Sequence, residues 1–242
     1  MSKKSLFSIA LGACTGLFLL SRKSRLSGTA KYRSKADRKQ SRQAADDAAR
    51  HYLMYVIMPV WSIAGFLDWL WHRQTSIETT SGVKESAMHL LMMVEAGGPI
   101  LTGLFLEVNA GSLALMGAGW LLHELTVAWD LKYTLSRRKI YTREQTTHSY
   151  MQGIPFQVVS TLACLYPEQA LALFGLGPEK PDFRLRLHKA PVPLSHFAAI
   201  VGGMGLLSGL PHVEELLRCY RAEIKGEAGS ESPECAKELY AS

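Results

Sequence analysis

Five apolar runs, each close to the length that crosses a lipid bilayer, constrain this chain more than any other feature. They cover about 52–71, 87–106, 110–130, 153–175 and 193–210. The hydrocarbon layer is about 30 Å thick, so a helix crossing it needs about 20 largely apolar residues. Backbone polar groups find no water there, and a helix satisfies them within one segment. The pattern predicts an all-α integral membrane helical bundle of about five spans. Gly97, Gly98, Gly117 and Gly119 would allow helices to approach closely. Trp69, Trp71, Trp120, Trp129 and Tyr133 gather near the expected ends of the spans, where amphipathic rings settle.

The remaining sequence is polar. Residues 5–20 are a shorter apolar run, expected as an additional N-terminal helix that lies at the interface, spans marginally or forms a signal-peptide core. The stretch 21–50 carries ten Lys/Arg against three acids and reads as a charged arm. Three regions follow: 1–50 as apolar stretch and basic arm, 51–215 as the bundle, and 216–242 as a polar tail. The formal net charge is +6. Because the basic residues flank apolar helices, membrane lipid is the expected partner and nucleic acid is not. Cys14, Cys164, Cys219 and Cys235 have no CxxC spacing, so neither a disulfide framework nor a thiolate zinc site is indicated.

Four histidines have a carboxylate partner at helical spacing. Asp68/His72, Glu85/His89 and Glu144/His148 are four apart, and His123/Asp130 are seven apart. Both spacings put the two side chains on one helix face. In an up-and-down bundle the four pairs also fall at one side of the membrane. Asp68/His72 and His123/Asp130 end the first and third spans, and Glu85/His89 and Glu144/His148 open the second and fourth. A single pair at a helix end is ordinarily a snorkelling or structural group. Four converging pairs point to a metal centre. Carboxylate and imidazole ligands without thiolate suit iron, manganese or zinc. Soluble di-iron carboxylate bundles are built by a similar design, although their Glu-x-x-His spacing of three differs from the spacings here.

Neighbouring residues extend the candidate site. Glu124 and Glu78 are candidate catalytic carboxylates or extra ligands. Arg137 and Arg138, in the basic segment 131–143, are candidates for an anionic substrate headgroup, which the forked guanidinium suits. His51 and His188 are expected as surface groups on the other side. His196 and His212, without a matching carboxylate inside the fifth span, are left out.

The stretches Asp68-Trp-Leu-Trp-His72-Arg73, Lys84-Glu85-Ser-Ala-Met-His89-Leu-Leu, Leu122-His123-Glu124 and Glu144-Gln-x-x-His148 resemble an uncharacterised bacterial family of multi-pass membrane proteins with paired Asp/Glu–His motifs. The resemblance covers about residues 50–156. It implies a membrane core there and, as that family has no established activity, no particular reaction. The HxxxH and HxxHH boxes of membrane desaturases are not matched.

The expectation is a membrane-embedded metal protein holding two iron ions, an oxidase, hydroxylase or desaturase. It would act on a lipid or hydrophobic small molecule with an electron donor. Zinc or manganese are the alternative ions, and a zinc-dependent lipid hydrolase is the alternative enzyme. A non-catalytic metal- or haem-binding protein or transporter is the third reading. The expected location is the inner membrane, with the metal face cytoplasmic. No phosphate-cradling glycine loop is present to suggest nucleotide chemistry.

Overall fold

The computed structural model describes residues 35–189 and 193–229, so the apolar run 5–20 and residues 230–242 lie outside the described residues. The regular elements are all helical, with one isolated antiparallel bridge between Leu106 and Leu187. Helix α1 (Lys35–Tyr52) passes through a π-helical turn (Leu53–Ile57) into α2 (Met58–Gln74). A 3-10 turn (Ile77–Thr79) leads to α3 (Gly82–Phe105). Helices α4 (Ala110–Thr134), α5 (Thr142–Leu165) and the short α6 (Pro167–Leu173) follow. Helix α7 (Leu194–Met204) continues through a second π-helical turn (Gly205–Gly209) into α8 (Leu210–Ile224).

Among the described residues, three helical stretches are long and apolar enough to cross a membrane: Lys39–Gln74, Gly82–Phe105 and Leu194–Ile224. Helices α4 and α5 cover the third and most of the fourth apolar run, but polar residues interrupt them. The first half of α5 alone carries Thr142, Arg143, Glu144, Gln145 and His148. The fourth run, expected as one segment to 175, breaks at Leu165. Pro167 cannot continue an incoming helix, and Tyr166 before it takes φ −120° and ψ 56°. At the other end of the bundle sequence, α8 runs to Ile224, well past residue 215.

The chain divides into two compact units, 1–45 and 46–242. The described part of the first is polar helix. The second holds a core of Leu53, Ile57, Trp61, Ile100, Met116 and Leu162 from α2 to α5 and the first π turn. Helix α4 begins at a reciprocal cap: Asn109 accepts from the Ser112 N–H at 3.0 Å, and the Ser112 hydroxyl accepts from the Asn109 N–H at 2.9 Å. At the C-terminus of α3, Arg50 donates to the carbonyls of Leu104 and Leu106, which have no partner within the helix. Asp46 anchors that arginine at 3.0 Å and accepts from Tyr166 at 2.6 Å.

The α7–α8 stretch buries only 6% of its most apolar window within the protein, so it presents Leu206, Leu210 and Leu217 outward as a lipid-facing helix does. Its inner contact is tight. A Cβ added at Gly65 would run into the Ser208 hydroxyl and lie 2.9 Å from the Ser208 Cβ. Replacing a mid-helix glycine by alanine ordinarily stabilises a helix by about 1 kcal/mol. Gly65→Ala is expected to do the reverse, losing roughly 1–3 kcal/mol by overpacking. Gly202→Ala, at a position with open space around it, is expected to lose nothing. Thermal unfolding of both variants in detergent checks the pair.

Candidate metal centre

Five helices and one inter-helix turn meet in a buried cluster of charged and imidazole groups. Helix α2 supplies Asp68 and His72, α3 supplies Glu85 and His89, α4 supplies Asp130, and α5 supplies Glu144 and His148. Helix α8 adds His212 and Glu215, which are three apart and so share a face. Arg138 enters from the turn between α4 and α5. All of these except His148 are at most 5% exposed. Both members of Asp68/His72, Glu85/His89 and Glu144/His148 lie in the cluster, whereas only Asp130 of the His123/Asp130 pair does.

The histidines are held in a consistent way. His72 Nδ1 lies 2.9 Å from Glu215 Oε2, and His89 Nδ1 lies 3.5 Å from Glu215 Oε1. Their rings stack at 4.6 Å with 12° between planes. His212 Nδ1 lies 2.9 Å from the Ser208 carbonyl, and His123 Nδ1 lies 3.2 Å from the Met92 carbonyl. A carbonyl or carboxylate only accepts, so each Nδ1 is the protonated nitrogen. The Nε2 atoms of His72, His89, His123 and His212 are buried and have no hydrogen-bond partner. Leaving such an atom unpaired costs about 1–3 kcal/mol. An Nδ1–H bonded outward with a bare Nε2 facing inward is how metal-ligating histidines are oriented.

The Nε2 atoms face carboxylates at distances that suit a shared ion. His72 Nε2 lies 3.3 Å from Glu144 Oε1 and 3.6 Å from Asp68 Oδ1. His212 Nε2 lies 3.5 Å from Asp68 Oδ2, and His89 Nε2 lies 3.7 Å from Asp130 Oδ2 and 3.8 Å from Glu85 Oε1. These are long for charge-assisted hydrogen bonds. Ligand atoms about 2.0–2.2 Å from one ion at tetrahedral or cis octahedral angles stand roughly 2.8–3.6 Å apart. Two disjoint ligand sets result, Asp68/His72/His212 and Glu85/His89/Asp130. His72 with Glu85 and Glu144, and His72 with His89 and His148, connect them.

The cluster also carries an excess of negative charge. Asp68, Glu85, Asp130, Glu144 and Glu215 are five carboxylates, and Arg138 is the one guanidinium among them. Four negative charges remain, which two divalent ions balance when the imidazoles are neutral. Arg138 is already committed: its Nε lies 3.1 and 3.2 Å from the two Glu85 oxygens, and its Nη1 lies 3.0 Å from Glu144. Burial opposes its charge, yet these two carboxylates raise its affinity for the proton above that of a free guanidinium.

Other candidates stand apart from the cluster. Glu124 accepts from Trp120 at 3.2 Å and from Gln152 at 2.9 Å. Glu78 pairs with Arg218. Arg137 lies over the Tyr133 ring at 4.4 Å, whereas Arg138 is buried between Glu85 and Glu144 instead of facing out toward a headgroup. His188, expected at the surface, is within 2.8 Å of Asp46. His123 belongs to none of the four ligand groups. It lines a cavity of about 50 Å³ with Asp68, His89, Asp130 and His148, where Trp61, Met92, Met93, Val127, Leu131 and Met151 supply apolar lining.

His212 and Glu215 are functional candidates that the reading of the sequence passed over. The readable signal was His-x-x-Glu, a one-turn spacing at the end of the fifth apolar run, hidden by stopping that run at residue 210. Family models, curated proteins and solved structures contain no match to this chain.

Removing the cation alone should expose the strain in this cluster. In chelator-treated protein, Arg138→Met is expected to cost about 3–5 kcal/mol, because two buried carboxylates lose their partner. Adding Glu144→Gln to Arg138→Met is expected to recover part of that loss. Chemical denaturation of the single and double variants measures both.

Proposed function

We propose that this chain is a multi-pass membrane protein in which five helical stretches gather a dinuclear metal centre at one membrane side. The observation that carries this reading is the set of buried, partnerless Nε2 atoms. Those of His72, His89 and His212 face carboxylates at 3.3–3.8 Å, with an acceptor at each Nδ1. One ion would be held by Asp68, His72 and His212, with Glu144 and His148 adjacent. The other would be held by Glu85, His89 and Asp130. The order of the helices supports one-sidedness. Alternate passes end or begin at the cluster, and His212/Glu215 fall late in the last helical stretch.

The preferred reaction is oxidative: a di-iron oxidase, hydroxylase or desaturase acting on a lipid or hydrophobic small molecule, fed by an electron donor. Iron, when bound, would supply one-electron steps and dioxygen chemistry; the nitrogen and oxygen donor set without thiolate suits it, with manganese or zinc as alternatives. The chain's own residues would do the rest. Glu215 holds two imidazoles in register. Trp61, Met93 and Val127 would give the cavity an apolar wall, and His123, whose buried Nε2 has no partner, would offer it a hydrogen-bond acceptor. One water needs about 10–15 Å³ by the same measure, so the cavity suits a small co-reactant such as dioxygen beside the ions. The location proposed is the inner membrane, with the centre toward the cytoplasm, where reductant is available.

Metal analysis of purified protein tests the reading. Wild type is expected to carry two ions per chain. His72→Ala, His89→Ala and His212→Ala are each expected to lose at least one, while His123→Ala and Glu124→Gln keep both. Wild type that stays metal-free after loading with iron, manganese or zinc would overturn the centre. One colourless zinc per chain would select the hydrolase.

A further inference from the structure

Around the buried cluster, two aromatic side chains each carry a pair of cations. The Tyr133 ring has Lys84 Nζ at 4.5 Å and Arg137 Cζ at 4.4 Å, and Lys84 also lies 5.5 Å from the Trp129 ring. The Tyr141 ring has Lys139 Nζ at 5.2 Å and Arg143 Cζ at 5.8 Å, and Arg143 also lies 4.7 Å from the Trp71 ring. Lys84, Arg137 and Arg143 are exposed, and Trp129 is 51% exposed. None of the four cations has a carboxylate within ion-pair reach among the described residues. Ring faces attract each cation, but they do not relieve the repulsion between two like charges gathered at one ring. An anion does.

The positions of these pairs say what kind of anion. Trp71 ends α2, Lys84 opens α3, Trp129, Tyr133 and Arg137 lie at the end of α4, and Tyr141 and Arg143 open α5. These are helix ends carrying half-exposed indole and phenol rings, the arrangement found at the headgroup level of a bilayer. Tyr133 is further tied to the protein, since its hydroxyl donates to the Ser81 carbonyl at 2.9 Å. The far end differs. There Arg186 is paired with Glu107 at 2.8 Å and with Asp182, and Lys189 lies 3.7 Å from Glu107.

We propose that the Lys84/Arg137 cluster on Tyr133 and the Lys139/Arg143 cluster on Tyr141 bind the phosphates of anionic lipids, so that the rim of the proposed centre sits in an anionic leaflet. This rests on the membrane reading and is independent of the metal. Guanidinium and ammonium together match a phosphodiester: the fork supplies two parallel donors and the ammonium a point charge. Anionic headgroups at a surface attract such residues more strongly than zwitterionic ones.

The test uses the rim's own tryptophans. Full-length protein is reconstituted in phosphatidylcholine bilayers containing phosphatidylglycerol or phosphatidylcholine brominated near the headgroup end of the acyl chains, and fluorescence quenching is titrated. Wild type is expected to be quenched at several-fold lower mole fraction by the brominated anionic lipid. A variant with Lys84→Gln, Arg137→Gln, Lys139→Gln and Arg143→Gln is expected to respond equally to both lipids while keeping its metal content. Equal quenching of wild type by both lipids, or undiminished preference in the variant, overturns the proposal but leaves the membrane reading intact. No quenching by either lipid defeats the membrane reading itself. If free inorganic phosphate at millimolar concentration abolishes the preference, the sites take phosphate rather than lipid and the proposal fails.

Discussion

Buried negative charge is the constraint on which the rest of this structure depends. Five carboxylates share a few helix turns with one guanidinium, in an interior where an unbalanced charge is far more costly than at a surface. Arg138 answers part of that charge by forking between Glu85 and Glu144. Hydrogen bonding by the imidazoles answers the remainder only in part: His148 Nε2 lies 2.8 Å from Asp68 Oδ1, but the inward nitrogens of His72, His89 and His212 lie 3.3–3.8 Å from the oxygens they face. Balance needs either protons on several stacked or crowded rings or cations between rings and carboxylates. Glu215 accepts from Nδ1 of both His72 and His89, and the nitrogens left over face carboxylates of the neighbouring helices, an arrangement that the proposed ions would complete.

The helices are arranged to make that cluster possible. Pairs at spacing three or four reach a common point only if each helix presents the correct face, and two π-helical turns adjust the phase where it matters. The turn at Gly205–Gly209 directly precedes α8 and ends three residues before His212, and Gly65 lets it sit against α2. Such inserted turns frequently mark functional sites. An exposed apolar helix thus turns one short polar stripe inward while Leu206, Leu210 and Leu217 stay outside.

Much of this was legible in the sequence, because periodicity and run length are local signals. Asp68/His72, Glu85/His89 and Glu144/His148 announce themselves by spacing alone, and the alternation of passes predicts that they meet. What was not legible depends on long-range packing. Nothing near Arg138 distinguishes it from Arg137, yet one is buried between two glutamates and the other lies over Tyr133. His123 has the right distance to Asp130, but its ring is turned to the Met92 carbonyl and its free nitrogen belongs to the cavity wall. His212 and Glu215 share a helix face as plainly as the other pairs. They were obscured because the run's apolar edge was taken as the helix end, whereas the helix runs to Ile224. Similarly, Pro167 outweighs apolar composition in deciding where α5 stops.

The two ends of the protein supply an internal comparison. At one end Asp46, Arg50, Tyr166 and His188 form a polar knot around the C-terminus of α3, and its charges find conventional partners at 2.6–3.3 Å. The same chain therefore satisfies a buried ionic group fully when the role is to close a helix end. At the other end, groups of the same types are more deeply buried, yet four imidazole nitrogens stay bare. A structural network has no reason to leave so many acceptors unpaired, since each could be relieved by replacement with an apolar side chain. Retaining them is reasonable when a ligand outside the polypeptide completes them. That contrast, within one fold and one set of residue types, is what supports the proposed centre over a second self-contained polar knot.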